Sequence, residues 1–530
     1  MKKLSLGIVI SLLVSGCNYD ITSLGADGWA AVDGPVTGGN TAKETETYVV
    51  ENRHQLITAL YGSQDANLNA NPSNTAKIIY VKGLIDLSTD GDGKAVTPAD
   101  YMAQCSDSGY TNYDDFYTAY RERFNPHEWN KQDLASNGKP QPVSGPLENA
   151  RSCYQKAQAN HIVLRVGSNT SILGVGSDAI IQHGSLVLGK SEKDAEPVTN
   201  VVIRNIEFKD AFDDFPGWSS TDSFKIDTNE FGQGDCRETF ISDTQNPAAC
   251  LSIEGGRWNS EYDLITLNNA QHVWVDHNTF SDGVRTDDQF PPVFTAPYNE
   301  KEQKVQHHDG LVDVTNGSSK VTISYNVFKN HDKTNLLGGS DSANPEINYG
   351  PGSIDVTFHH NYWENTGQRM PRVRFGRVHV YNNYYNLNAN AEETVYKMGD
   401  AIILGTASKI YAENNVFDIS GTEDWSKIIG FSSKTSNIDK CTKAGYQVAE
   451  CGTYFYSGGN VVNNSVVDFT PFAIDKSTSS SSNANVTILD PKDENAFWLP
   501  KQTYRYKLEK PKHLKAEILA NAGSGKLSTK

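Results

Sequence analysis

Two aspartates four residues apart flank a glycine in the run Asp309-Gly310-Leu311-Val312-Asp313. Lys333 follows, and then an arginine cluster, Arg369-Met370-Pro371-Arg372-Val373-Arg374-Phe375-Gly376-Arg377. Carboxylates are hard oxygen donors suited to calcium, which takes six to eight oxygens in irregular geometry. Lysine and arginine side chains suit an anionic ligand, and a guanidinium can grip a carboxylate with two parallel hydrogen bonds. Together these residue types fit a metal ion beside a cationic groove.

Groups so far apart in the chain meet only if the intervening elements bring it back repeatedly to one place. From about residue 161 short β-rich runs recur, many carrying Asn followed two residues later by an aromatic. Val201-Val202-Ile203-Arg204-Asn205-Ile206-Glu207-Phe208 begins the series. Trp274-Val275-Asp276-His277-Asn278-Thr279-Phe280 and Val321-Thr322-Ile323-Ser324-Tyr325-Asn326-Val327-Phe328 continue it. Later runs centre on Asn361, Asn383 and Asn415. A fixed local signature at uneven spacing implies one structural unit with loops of variable length. No helical pattern separates the strands, which excludes βαβ folds. A right-handed parallel β-helix, an all-β solenoid with long loops, is expected. An Asn at each corner would tolerate left-handed backbone and bond the Asn of the next coil. The stacked coils would bury a continuous apolar core. A β-sandwich with coincidental Asn-x-aromatic turns is the competing fold.

The 530 residues carry a formal charge of −17, which disfavours general nucleic-acid binding. An anionic ligand therefore needs a local cationic patch or a bridging metal. At the N-terminus Lys2 and Lys3 precede an apolar run too short to span a membrane, which ends in Leu13-Val14-Ser15-Gly16-Cys17. This has the layout of an export signal and resembles a bacterial lipobox, which implies lipidation of Cys17. Asn18 after it implies the outer membrane or the cell surface, with release to the medium as the alternative. The expected organisation is a signal over 1–17, a tether over 18–45 and a β-helix domain over 46–530. Residues 95–160 interrupt the pattern and read as an insertion with some helix. Without Cys17 six cysteines remain, an even set that an exported protein would oxidise. Nearest-neighbour pairing gives 105–153, 236–250 and 441–451, although sequence alone does not fix connectivity.

The runs Trp274-Val275-Asp276-His277, Asp309-Gly310-Leu311-Val312-Asp313, Asp332-Lys333-Thr334 and Arg369-Met370-Pro371-Arg372-Val373-Arg374-Phe375-Gly376 resemble, in order and spacing, the polysaccharide lyase family 1 pectate lyases. Gly28-Trp29-Ala30-Ala31 and Gly38-Gly39 resemble the family's start. The resemblance covers most of 28–420 but not the insertion or the loop at 284–304. It implies calcium-dependent β-elimination on polygalacturonate, giving 4,5-unsaturated oligogalacturonides, by a monomer that touches a membrane only through its lipid. It also implies roles: Asp263, Asp309 and Asp313 as calcium ligands, Glu261 as a more variable acidic position, Arg369 as the base, and Lys333 and Arg374 as binders of substrate carboxylates.

The elimination has a physical rationale. The C5 hydrogen of a uronate lies α to a carboxylate, and a cation there stabilises the charge that builds on its removal. Pectin lyase, which acts on methylated chains without metal, is a rival reading that the aspartates argue against. A hydrolase using Asp287-Asp288, and a glycan-binding β-helix without catalysis, are others. His277 reads as structural, paired with Asp276. His307 and His308 are open, and His359-His360 is a weaker candidate for substrate contact.

Overall fold

The computed structural model describes residues 25–528, apart from 106–107, 127–128, 130–140, 193–194, 221–255, 295–304, 342–348, 480–483 and 494. Cys17, Cys236 and Cys250 lie outside the described residues.

The chain winds through three parallel ladders. The first runs from Thr47–Val50 and Lys77–Asp86 through Ala270–Asp276, Ser319–Ser324, Ile354–His359, Gly376–Tyr381 and Lys409–Glu413 to Val486–Ile488. The second contains Glu207–Lys209, Thr279–Ser281, Val327–Lys333, Tyr362–Gln368, Tyr384–Asn388 and Val416–Ser420. The third has eight strands, from Val163–Val166 through Ile265–Asn268, Val312–Thr315, Leu336–Leu337 and Arg372–Val373 to Ile429–Phe431. Each coil contributes one strand to each ladder, as expected of a parallel β-helix.

The asparagine signature explains the stacking. Asn278, Asn326, Asn361, Asn383, Asn415 and Asn460 form a buried column at the corner between the first and second ladders. The side-chain oxygens of the last five each accept the backbone N–H of the Asn one coil below, at 2.9–3.1 Å, and that of Asn278 accepts Ile206 N–H at 3.1 Å. The left-handed residue is not this asparagine but the one before it: His277, Tyr325, His360, Asn382 and Asn414 all have φ near +50°. The ladder Asn is therefore selected for its amide, and the corner turn is made one position earlier. Two residues on, the aromatics Phe280, Phe328, Trp363, Tyr385 and Phe417 stack inside the coil with centroids 4.2–5.3 Å apart.

The tether expectation fails for 25–45. Trp29 and Ala30 are buried, and their N–H groups donate to the hydroxyls of Thr357 and Thr322 on the first ladder. Trp29 also stacks on Trp498, with centroids 5.8 Å apart. Glycine-rich sequence here means close backbone approach, because a Cβ on Gly28 would meet Thr357 Oγ1 at 2.5 Å.

The insertion contains the helices Tyr113–Arg123 and Pro146–Ile162. They build a second core in which Phe116, Tyr120 and Tyr154 pack with Phe215, Trp218 and Trp258. Cys105–Cys153 closes it, and Cys441–Cys451 is the other disulfide among the described residues. At the C-terminus, Leu514 and Ile518 of helix Pro511–Asn521 cover Tyr362, Tyr384 and Val416 on the outside of the second ladder.

Candidate active site

The coil register gathers the singled-out residues. Asp263 ends the approach to strand Ile265–Asn268, which pairs with Val312–Thr315 so that Thr266 lies beside Asp313. Leu264 N–H donates to the carbonyl of Gly310 at 3.1 Å, and Gly310 bridges to Lys333. One coil further, Asn335 N–H donates to the Arg369 carbonyl at 2.8 Å and Leu336 pairs with Arg372. Asp263, the pair Asp309 and Asp313, Lys333, and the arginine cluster thus occupy successive coils at the entrance to the third ladder.

Asp263 and Asp313 converge over Gly310. A Cβ on Gly310 would stand 2.5 Å from Asp313 Oδ1 and 2.7 Å from Asp263 Oδ1, so only glycine leaves that space open. Asp263 Oδ1 accepts Gly310 N–H at 2.8 Å and its Oδ2 accepts the Thr266 hydroxyl at 2.7 Å. Asp313 Oδ1 accepts Leu336 N–H at 3.0 Å. Burial, followed by the charge of Asp309, lifts the Asp263 carboxyl to about 6. Burial, then Asp263 and Asp309, pushes Asp313 well above the carboxylate range. At Asp309 burial acts in the same direction, but Lys333 and Arg369 outweigh it and the net shift is downward.

This donor set fits a divalent cation. Two acids held back from ionisation by burial and then by neighbouring carboxylates are what such an ion relieves, and hard oxygens facing a glycine-sized gap suit calcium. Asp309 is committed elsewhere: Lys333 Nζ, almost fully buried, donates to its Oδ1 at 2.6 Å. The three aspartates accordingly do not form a closed cage. Among the described residues, the triads with ligand atoms within 4.8 Å of one another are Asp282, Asp287 and His308, and His360, Glu509 and Glu517.

The arginines divide their work. Arg369 takes φ 64°, and its carbonyl is fixed by Asn335 N–H and by the Thr334 hydroxyl at 2.6 Å. Its Nε is buried and meets no hydrogen-bond acceptor among the described residues. Arg374 is buried, with Nε on Asp341 Oδ2 at 2.8 Å and Nη1 on the Gly338 carbonyl at 2.7 Å. Two of the three nitrogens of the fork expected to hold a substrate carboxylate are thus engaged within the protein. Arg372 also reaches Asp341, at 3.4 Å, and burial followed by repulsion from Arg374 lowers it to about 10. Arg377 grips Asp355 with two bonds, at 2.8 and 2.9 Å, and lies over the Trp29 ring.

Other candidates separate from this group. Glu261 is exposed, on the wall of a cavity of about 200 Å³ shared with Arg151 and Trp218. His277 is buried at the opposite corner, 2.6 Å from Asp276, which also binds Arg204 and Ser324. Asp287 is buried while Asp288 is exposed, so the doublet does not face one substrate as an acid–base pair. His307 contacts the Asp213 carbonyl at 2.6 Å and His308 contacts Asp210 at 2.8 Å, which makes them braces beneath Asp309. Sequence reasoning passed over Asp341, which also accepts from Thr406, and the carbonyl-fixing role of Thr334 and Asn335. No local motif marks Asp341.

A family model described as pectate lyase matches residues 245–527. A pectate lyase of Bacillus subtilis (strain 168) is 35% identical over 83% of this chain and 88% of its own length. Pectate lyase E of Dickeya dadantii (strain 3937) is 28% identical over 83% of this chain and 76% of its own. The solved structure of a pectate lyase from Acidovorax avenae subsp. citrulli superposes with a TM-score of 0.81 at 37% identity, covering 99% of this chain and 100% of that one. A pectate lyase bound to a hexasaccharide superposes at 0.68 with 30% identity, covering 97% and 100%.

Proposed function

Because the chain belongs to the pectate lyase family, polysaccharide lyase family 1, we propose that it cleaves α-1,4-polygalacturonate by calcium-dependent β-elimination, leaving 4,5-unsaturated oligogalacturonides. The observation that carries this reading is the meeting of Asp263, Asp313 and Asp309 with Lys333 and Arg369 on consecutive coils. Asp263, Asp309 and Asp313 would hold the ion. Bound calcium supplies positive charge where the uronate carboxylate becomes electron-rich.

The chain's own groups do the rest. Lys333 passes from Asp309 to the substrate carboxylate when the acids gain another counter-charge. Arg369 removes the C5 proton, and the glycosidic oxygen at C4 leaves. Lys333, Arg372 and Arg374 belong to the same cationic group, which suits the anionic chain. Arg374, fixed by Asp341, sets the wall of the groove. The same reading places the enzyme at the cell surface as a monomer anchored through Cys17. Release of a Cys17→Ala variant into the medium checks the anchor.

The test is absorbance near 235 nm with polygalacturonate, with and without EDTA. A calcium-dependent rise is expected, and Asp313→Asn should raise the calcium needed for half-maximal rate by about tenfold or more. New reducing ends without that absorbance would mean hydrolysis and would overturn the reading.

A further inference from the structure

A second set of ligand atoms lies at the corner between the first and second ladders, whereas the catalytic acids stand at the entrance to the third. His360 occupies the left-handed corner position just before the ladder residue Asn361, and is 7% exposed. Its Nδ1 lies 2.8 Å from His359 Nδ1, and His359 Nε2 lies 2.8 Å from Asp27 Oδ1. The His360 Nε2 is buried and has no hydrogen-bond partner among the described residues.

Glu509 and Glu517 come from the C-terminal segment, on either side of the start of helix Pro511–Asn521. One ligand atom from each of His360, Glu509 and Glu517 falls within 4.8 Å of the others. Glu517 Oε2 is also buried without a geometrically good hydrogen bond among the described residues, although the Tyr325 side chain approaches the same carboxylate, while its Oε1 accepts from Asn521 at 3.2 Å. Glu509 has Lys507 Nζ at 3.8 Å, beyond hydrogen-bond distance. Buried polar atoms in folded proteins are nearly always bonded. An unpartnered imidazole nitrogen and an unpartnered carboxylate oxygen on residues of one such triad therefore call for a shared partner.

We propose that His360, Glu509 and Glu517 form a site for a zinc-class divalent cation that ties the C-terminal helix to the coil. One imidazole and two carboxylates, with water as the fourth ligand, match what zinc accepts. Calcium prefers a larger all-oxygen shell. The chain Asp27–His359–His360 is the outer support a ligating histidine requires. His359 donates from Nε2 to Asp27, His360 donates from Nδ1 to His359, and the lone pair on His360 Nε2 faces the glutamates. Ligands on one zinc lie no more than about 4 Å apart, so modest glutamate rotations close the set. The proposal stands apart from the lyase reading, because the structure sets His359 and His360 at the corner between the first and second ladders, bonded to each other and to Asp27, and not with Asp263, Asp309, Asp313, Lys333 and Arg369 as the substrate contact weighed from the sequence.

The experiment uses the full chain, stripped with EDTA and dialysed, without calcium or polygalacturonate. Zinc is titrated by calorimetry and by thermal shift, and cobalt is added as a visible probe. Wild type should bind one equivalent of zinc, melt higher, and give ligand-field bands with cobalt. His360→Gln should weaken zinc by about 100-fold and abolish the bands, with lyase activity at saturating calcium unchanged. Retention of both the melting shift and the bands in that variant overturns the site, as does absence of binding in wild type. Zinc held instead by the catalytic aspartates would survive His360→Gln and counts against the proposal. Should His360→Gln fail to fold, Glu509→Gln, on a partly exposed residue, must weaken zinc in the same way. Unchanged affinity there overturns the site.

Discussion

Arg369 shows how a single residue is prepared for chemistry. Its backbone is held left-handed, its carbonyl takes two hydrogen bonds from Thr334 and Asn335, and its Nε bonds to nothing among the described residues. Truncating the side chain therefore leaves the coil intact. Arg369→Ala should lower kcat by about 10²- to 10⁴-fold, the range for loss of a positioned base, with the melting temperature preserved. Near-normal turnover measured at 235 nm would remove the base assignment. A second residue makes a pH prediction. His183 lies 2.9 Å from Asp86 and 3.4 Å from Asp210. Burial pulls its pKa down, but hydrogen bonds to Asp210 and Asp86 outweigh that and raise it to about 9 from 6.5. The folded state thus binds the extra proton between those values. The stabilisation is complete below 6.5 and lost as pH rises through 9. The melting temperature should fall by about 2–4 °C from pH 6.5 to 9.5. His183→Asn, tolerant of the same positive φ, should flatten that slope.

At the level of the element, the asparagine column decides the register. Asn326 donates to the Val275 carbonyl at 3.0 Å and to Asn361 Oδ1 at 3.1 Å, and accepts Asn278 N–H at 2.9 Å. All these groups are buried, so Asn326→Ala strands a donor and an acceptor at once, at a cost of about 3 kcal/mol or more. Urea denaturation should show that loss. Turnover per folded molecule should hold, because Asp263, Asp309 and Asp313 lie at or beside the third ladder and away from this corner. Unchanged stability would mean that the aromatic stack alone sets the coil. That stack reaches the site through Trp363, whose Nε1 donates to Asn335 Oδ1 at 3.1 Å, and through Tyr385, whose hydroxyl donates to the Met370 carbonyl at 3.2 Å. The core is thereby coupled to the segment that carries Arg369.

Across the whole molecule, the insertion is a brace and not an ornament. Tyr262, next to Asp263, donates to the Gln155 carbonyl at 2.7 Å, and Arg151 donates to the Phe215 carbonyl at 2.8 Å. Cys105–Cys153 closes a loop spanning a separation of 48 residues, worth about 4 kcal/mol in the chain-entropy model. The double Cys→Ser variant should melt earlier and need more calcium for half-maximal rate. An unshifted calcium requirement would show that the brace does not reach Asp263. The sequence by itself determined the solenoid and the order of the site motifs. Asn and aromatic residues repeat at each coil, and stacking is a nearest-neighbour interaction that leaves its mark locally. It also carried Asp263, Asp309, Asp313, Lys333 and Arg369 as candidates. Only the tertiary structure decided that Arg374 is held by Asp341, that 25–45 docks against the first ladder, and that Glu509 and Glu517 meet His360. Each of these depends on which loop crosses which coil, and a contact between residues far apart in the chain imposes no periodicity on the residues around it.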